Sequence, residues 1–382
     1  MKITGYRRPD GRFGIRNHVL LIPAMPYALP VARHISSLVR GTTVVTHLNG
    51  RGHATFDLEF TRKNLVGLAD NPNVGAVLVV GFEPKGAAVL AERIEALGKP
   101  VRLVTVVGSG SLQAAAEGAR MATELVQMTT AQQREEFDLA QLFIGAECGG
   151  SDATSGIISN PATGRAMDRL VEAGGTVTFN EVQELVGAEQ GLADRAVNAQ
   201  VAERIWQITQ EAVDEAKAAG VDINEANPAP DNIAGGLTTL EEKAIGSAMK
   251  GGSSPVVSVI EYGEPPSQPG LHVMNAPAPA AESTGAMLAA GAQLIVFTTG
   301  QGNPAGTPIA PVIKVCANPQ TIEQAGDNID VDVSGVITGD LDEAQATERI
   351  WEQIGQVCNG MLTRAEIYGH DEYNIPRIGP VL

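Results

Sequence analysis

The chain has 382 residues, 27 basic against 44 acidic side chains and hence a formal charge of −17, with 43% apolar and 19% charged residues. This is the composition of a globular protein long enough for two or three domains. The acidic balance excludes a general nucleic-acid binder, which draws on clustered Lys and Arg.

The opening MKITGYRRPDGRFG lacks the apolar stretch of a signal peptide. The longest apolar runs, such as Val19–Pro26 and Ala76–Val80, fall far short of the ~20 residues that span a bilayer. Cys148, Cys316 and Cys358 are far apart with no CxxC pair, which argues against a disulfide framework and a zinc finger. A cytosolic chain is expected, with neither membrane nor nucleic acid as partner.

Short β-branched runs then alternate with helical patterns. His18–Ile22, Thr42–Thr46, Gly75–Val80, Val101–Val107 and Gln141–Gly145 read as buried parallel strands, and Leu29–Val39, Leu58–Leu68, Ala87–Leu97 and Leu112–Gln127 as the helices between them. A helical region over Leu192–Ala219 follows, with Trp206 on its apolar face. NPAP at Asn227–Pro230 breaks it and marks the expected boundary. Beyond it come a helix near Leu240–Met249, strands near Val256–Ile260, Leu294–Thr298 and Pro311–Val315, and a last helix near Asp342–Gln356. The expected fold is α/β. A parallel-sheet N-terminal domain with helices on both faces (1–226) precedes a smaller α/β C-terminal domain (227–382). Such sheets bind ligands in the loops beyond the carboxyl ends of their strands.

The densest chemistry is AECGGSDATSGIISNPATG, Ala146–Gly164. It leaves a strand through a Gly-rich turn and enters a helix near Pro161, a place where bare backbone N–H groups hold anions. Cys148 and Asp152 offer a thiolate and a carboxylate to Fe2+ or another divalent metal; a tight turn with one buried cysteine has the same signature. Glu181 and Glu184 are three apart and would share a helical face, and a carboxylate such as Glu181 would complete the metal site. In AGGLTTLEEKAIG, Thr238, Thr239, Glu241, Glu242 and Lys243 stand at a helix start, an ordinary capping pattern, yet a buried Lys243 or Glu242 can act in proton transfer. Gln301, Asn303, Lys314 and Asn318 in FTTGQGNPAGTPIAPVIKVCANPQT can hold carboxylate and hydroxyl groups. His47 and His53 flank an arginine at a strand end, as a catalytic or binding pair or as polar surface. Arg16 and Asn17 in GRFGIRN form either a solvated loop or an anion clamp. GQGNPAG lacks the Lys-Ser/Thr ending of a phosphate loop, and GSGSLQAAAEG does not fit a dinucleotide turn.

Taken together and in order, GYRRPDGRFGIRNHV, ECGGSDATSGIISNP, NEVQELVGAEQ, NPAPDNIAGGLTTLEEKAIG and TGQGNPAGTPIAPVIKVCANP resemble the altronate and galactarate dehydratase (UxaA) family over nearly the whole chain. The C-terminal half is most similar to the large chain of (2R)-sulfolactate sulfo-lyases. The resemblance implies iron-assisted β-elimination from a small anionic 2-hydroxy or sugar acid, most simply dehydration, giving a 2-oxo acid. Release of sulfite is the alternative, and a non-catalytic subunit or small-acid-binding module a third reading. It also implies a separately encoded small subunit in place of the N-terminal domain fused to some members; a homo-oligomer is expected. The sequence departs from the altronate-type pattern where cysteines are usual, at Met25–Tyr27 and at Arg51–Gly52, and has Gln190 where a His often follows GAE. The expected roles are Cys148, Asp152 and Glu181 at the metal and Lys243, Glu242 and His47 in proton transfer. Arg16, Asn17, His53, Thr238, Thr239, Gln301, Asn303 and Lys314 would orient the acid.

Overall fold

The computed structural model describes residues 1–379, and its strands fall into three sheets. Strands β1 (Ile3–Arg7) and β2 (Phe13–Gly14) open the chain as an antiparallel pair. Strands β3 (His18–Pro23), β4 (Thr42–Val44), β5 (Val74–Gly81) and β6 (Val101–Thr105) then form a parallel sheet in the order β4-β3-β5-β6. The β-branched runs of the central strands β3 and β5 are buried on both faces, as inner parallel strands require, whereas the edge strands β4 and β6 are only partly covered. Leu20, Ile22, Val77 and Val79 pack under the Thr55–Asp70 and Pro84–Glu95 helices. The alternate residues Val19, Leu21, Ala76 and Leu78 pack under Leu29–Leu38 and Ser111–Thr130.

Strand β7 (Glu135–Phe137) returns to pair with β1, and the chain then enters a seven-stranded, wholly parallel sheet. It contains β8 (Phe143–Cys148), β9 (Thr176–Phe179), β10 (Val256–Glu261), β11 (Gly270–Asn275), β12 (Leu294–Thr298), β13 (Val312–Cys316) and β14 (Val331–Asp332), ordered β10-β11-β9-β8-β12-β13-β14. The two-domain α/β arrangement stands, with two corrections. The Gln141–Gly145 run was expected beside the first four strands, but as β8 it pairs with β9 and β12 in the second sheet. The expected boundary at 226/227 therefore cuts through a continuous sheet, and the sheets divide instead between Thr130 and Leu142. The C-terminal body is the larger of the two. The reason is physical: β8 and β9 precede Asn227, but their hydrogen-bonding edges are completed only by β11 and β12.

The helical region over 192–219 is two helices, Glu189–Ala193 and Ala199–Ala218. Between them Ala196 bridges to Val256 at the sheet edge, and Asn198 caps the second helix on the Val201 N–H. Val201, Ile205, Ile208 and Ala212 make its buried face, whereas Trp206 is 46% exposed and lies off it. No helix among the described residues is long and apolar enough to cross a membrane.

The two bodies are locked by buried amides. Asn71 Nδ2 donates to the carbonyls of Leu288 and Ala292, and Asn73 Nδ2 to those of Gln293 and Ile309. Each would be costly to bury unpaired.

Candidate functional site

Strand β8 ends at Cys148 and β9 two residues before Glu181, neighbours in the sheet whose carboxyl ends open on the same side. Side chains alternate across a strand, so Cys148 and Glu147 leave β8 on opposite faces. Cys148 Sγ lies 3.6 Å from Glu181 Oε2, 3.9 Å from Glu184 Oε2 and 3.5 Å from Ser247 Oγ. Lys250 Nζ, wholly buried, donates to Glu181 Oε2 at 2.6 Å, to Ser247 Oγ at 2.6 Å and to Cys148 Sγ at 3.3 Å. At the rim Lys243 Nζ pairs with Glu184 Oε1 at 2.8 Å and donates to Asn227 Oδ1 at 2.8 Å and Asn232 Oδ1 at 3.0 Å.

Local backbone builds this cluster. Glu181 stands in the left-handed region at φ 71°, the one non-glycine residue with positive φ among the described residues. That conformation costs on the order of 1–3 kcal/mol and persists where surroundings over-determine it. Here the Glu184 N–H binds the Glu181 carbonyl at 2.7 Å, starting the short turn that brings Glu184 back to Cys148. Lys243 and Ser247 share a face of the Leu240–Ala248 helix at i, i+4, and Lys250 follows in the turn Met249–Gly251. A Cβ at Gly251 would lie 2.6 Å from the Phe179 ring, so only glycine lets that turn press against β9.

Burial dominates the electrostatics. It pushes the Cys148 thiol up to about 12, with the charge of Glu181 adding to it. The Glu181 carboxyl is raised to about 7 by burial, against the pull of Lys250. Glu147 is raised further by burial and by Glu181. Its Oε2 accepts the Ser283 hydroxyl, its Oε1 has no donor in the protein, and it is close enough to Glu181 for one carboxyl to hydrogen-bond the other. Lys250 is held above its ordinary value because the acidic groups around it outweigh its burial. Burial thus favours the thiol form of Cys148 and the protonated form of Glu147, while the acidic surroundings favour the ammonium on Lys250.

The expected site residues divide sharply. Cys148 and Glu181 meet, and with Glu184 their ligand atoms lie within 4.8 Å of one another, a donor set of one sulfur and two oxygens able to hold a metal ion. Asp152 does not join them. Its Oδ1 accepts from Thr154 Oγ1, Ser155 N and Ser155 Oγ and its Oδ2 from Asn318 Nδ2, so the carboxylate is spent on fixing the loop. Lys243 is at the cluster, but Glu242 is exposed and caps its own helix by accepting from Thr238 N and Oγ1. Thr239 accepts the Glu242 N–H in the same cap. Gln301 and Asn303 follow β12 at the same end of the sheet, bonded to the Asp231 carbonyl and the Ala305 N–H.

Lys314 is buried with its Nζ 3.2 Å from the Phe297 ring centroid and no hydrogen-bond partner, so it meets no solvent-open acid site. Arg16 is no anion clamp: it forks onto Glu366 and donates to the carbonyls of Ile15, Val357 and Met361, pinning the C-terminal region. Asn17 bonds Arg8 and the Thr129 carbonyl. His47 has Nε2 on the Pro23 carbonyl and Nδ1 accepting the Asn49 N–H, which leaves it no free nitrogen for proton transfer. His53 accepts from Arg377 and lies 3.2 Å from the buried Asp57 carboxylate. An apolar groove lined by Ala188, Leu192, Ile245 and Met249 runs beside the Leu240–Ala248 helix and contains none of the cluster's polar groups.

Sequence reading missed Lys250 and Ser247. The spacing 243, 247, 250 is i, i+4, i+7, a polar stripe on one helical face, and carried the signal.

Two parallel sheets, with a buried thiol, two carboxylates and two lysines gathered at the ends of β8 and β9, define an α/β protein whose polar groups converge at a sheet's carboxyl edge. Residues 139–381 match the family described as D-galactarate/Altronate dehydratase, C-terminal, and residues 5–130 that described as D-galactarate dehydratase/Altronate hydrolase, second domain. The chain belongs to this family of D-galactarate and altronate dehydratases. It is 39% identical to the (2R)-sulfolactate sulfo-lyase subunit beta of Chromohalobacter salexigens, over 98% of this chain and 97% of that protein. It is 33% identical to the altronate dehydratase of Escherichia coli, over 99% of this chain and 78% of that one. With the galactarate dehydratase (L-threo-forming) of Escherichia coli it shares 33% identity over 76% of this chain and 57% of the relative.

Proposed function

We propose that this chain is a lyase removing a leaving group, in the first place water, from the β-carbon of a small 2-hydroxy or sugar acid to give a 2-oxo acid. The observation that carries the reading is the meeting of Cys148, Glu181 and Glu184 with Lys243 and Lys250 at the ends of β8 and β9. Elimination begins with loss of a weakly acidic α-proton, and the enediolate that develops needs fixed positive charge. Cys148, Glu181 and Glu184 would hold Fe2+ or another divalent ion, which when bound supplies that charge. The protein's own part is proton handling and orientation. Lys243 Nζ, paired with Glu184 Oε1 at the least buried edge of the cluster, would handle the proton, and Asn227 and Asn232 accept from it and keep it aimed. Glu147, behind Glu181 and favoured in its protonated form by burial, would be the inner proton donor. Gln301 and Asn303, at the same sheet end, would orient the acid.

Sulfite as the leaving group is the second reading, favoured by the matching length of the sulfo-lyase relative. That relative is a subunit, which supports a separate partner chain here too. The test is 2-oxo acid and sulfite formation from altronate, galactarate and sulfolactate, with Fe2+, with and without a candidate partner. Cys148→Ala should fold and lose both metal and turnover. No product from any of these acids would overturn the reading.

A further inference from the structure

We infer that the ammonium of Lys250 and a divalent metal ion are alternative occupants of the Cys148–Glu181–Glu184 cage, so that Lys250 sets how tightly the metal is held. The inference rests on the reading above only in taking the cage as the metal's place. Nζ already sits on the atoms a metal would need, 2.6 Å from Glu181 Oε2 and 3.3 Å from Cys148 Sγ. An ion ligated by Sγ and Oε2 must lie between two atoms 3.6 Å apart that both touch Nζ. Two cations sharing those contacts repel strongly with so little water between them. One has to leave.

The backbone behind Lys250 cannot be what moves. Gly251 is pressed on the Phe179 ring, and a Cβ at Gly252 would meet the Gly164 carbonyl at 2.6 Å. The next turn is tied by Asp168, which accepts from Ser253 N and Ser254 N at 2.8 Å each. Exchange is therefore a swing of the four-carbon lysine stem about a fixed Cα.

Co2+ titration of the full chain, followed by the sulfur-to-cobalt absorption band, tests this. Lys250→Met should bind Co2+ about 10–100-fold tighter than wild type, the scale on which groups around a metal site retune affinity. The band should vanish when Cys148→Ala is added. Equal or weaker binding by Lys250→Met would overturn the inference. Should that variant not fold, a Co2+-soaked crystal of the wild type decides. An ion on Cys148 and Glu181 with Nζ withdrawn supports the exchange. An ion there with Nζ still bonded to Glu181, or no ion at Cys148, refutes it. Elimination activity is read separately: wild-type turnover with no gain in cobalt affinity sinks only this inference, and a gain without turnover on any acid sinks only the proposed reaction.

Discussion

At the carboxyl ends of the four-stranded sheet, polar side chains are spent mostly on backbone: His47 on the Pro23 carbonyl and Asn49 N–H, Asn49 on the Ile375 carbonyl. At the carboxyl ends of the seven-stranded sheet they are spent on one another, with Cys148, Glu181, Glu184, Lys243 and Lys250 in mutual contact. The loops are alike and the outcomes opposite. A side chain bonded to backbone fixes a loop and has finished its work. Buried charges bonded to each other cost more to assemble than they return in stability, and shifted groups that gather this way mark functional sites. Among the described residues, the His53–Asp57–Arg377 set beside the first sheet approaches the second pattern, and it is smaller and carries no thiol.

The largest effect expected from this contrast is on proton transfer. Lys243→Met should keep its fold and lose ~10²–10⁴-fold in exchange of the substrate α-proton with solvent, the scale of a lost acid–base group. Deuterium incorporation measured by mass spectrometry checks it, and wild-type exchange would move proton handling off the Lys243–Glu184 pair.

A middle-sized effect separates charge that works from charge that only costs. Burial pushes the Lys314 amine down to about 7 from an ordinary value near 10.5. Between those values the unfolded chain holds a proton the folded chain has released, so this group makes stability rise with pH from about 7 to 10.5. Lys314→Met should abolish that rise and melt higher than wild type at pH 7 in a calorimeter. A lower melting temperature would assign the amine a favourable contact.

The smallest effect on turnover belongs to the first sheet. His47→Asn should cost about 1–3 kcal/mol in urea unfolding, the price of leaving buried groups unpaired, with turnover near wild type. Lost turnover at unchanged stability would restore His47 to the chemistry and dissolve the contrast.

Strands β3, β5 and β12 were legible because their β-branched runs stand alone between helical patterns. The sequence reading missed β9 and β11, since TVTF and GLHVMN sit among glycine and polar residues and owe their state to neighbours in the sheet. Sheet membership was equally hidden, because nothing local in FIGAEC says that its partners are LIVFT and TVTF. At the site, Cys148, Glu181 and Lys243 were readable as chemistry in glycine-rich surroundings. Asp152 looked equivalent, but its role as a loop anchor depends on Asn318, 166 residues away.

The strand order β10-β11-β9-β8-β12-β13-β14 has a consequence for synthesis. A chain emerging from the ribosome completes its first sheet after about residue 105, then presents β8 and β9 as a bare pair. Their outer edges stay unpaired until β11 and β12, more than ninety residues past Phe179, have been made. Such edges recruit other strands, and long-range parallel pairing is slow. Truncation anywhere before Thr298 would leave the nascent protein with the strands that carry the cluster open on at least one side, a species for chaperones and proteases to find.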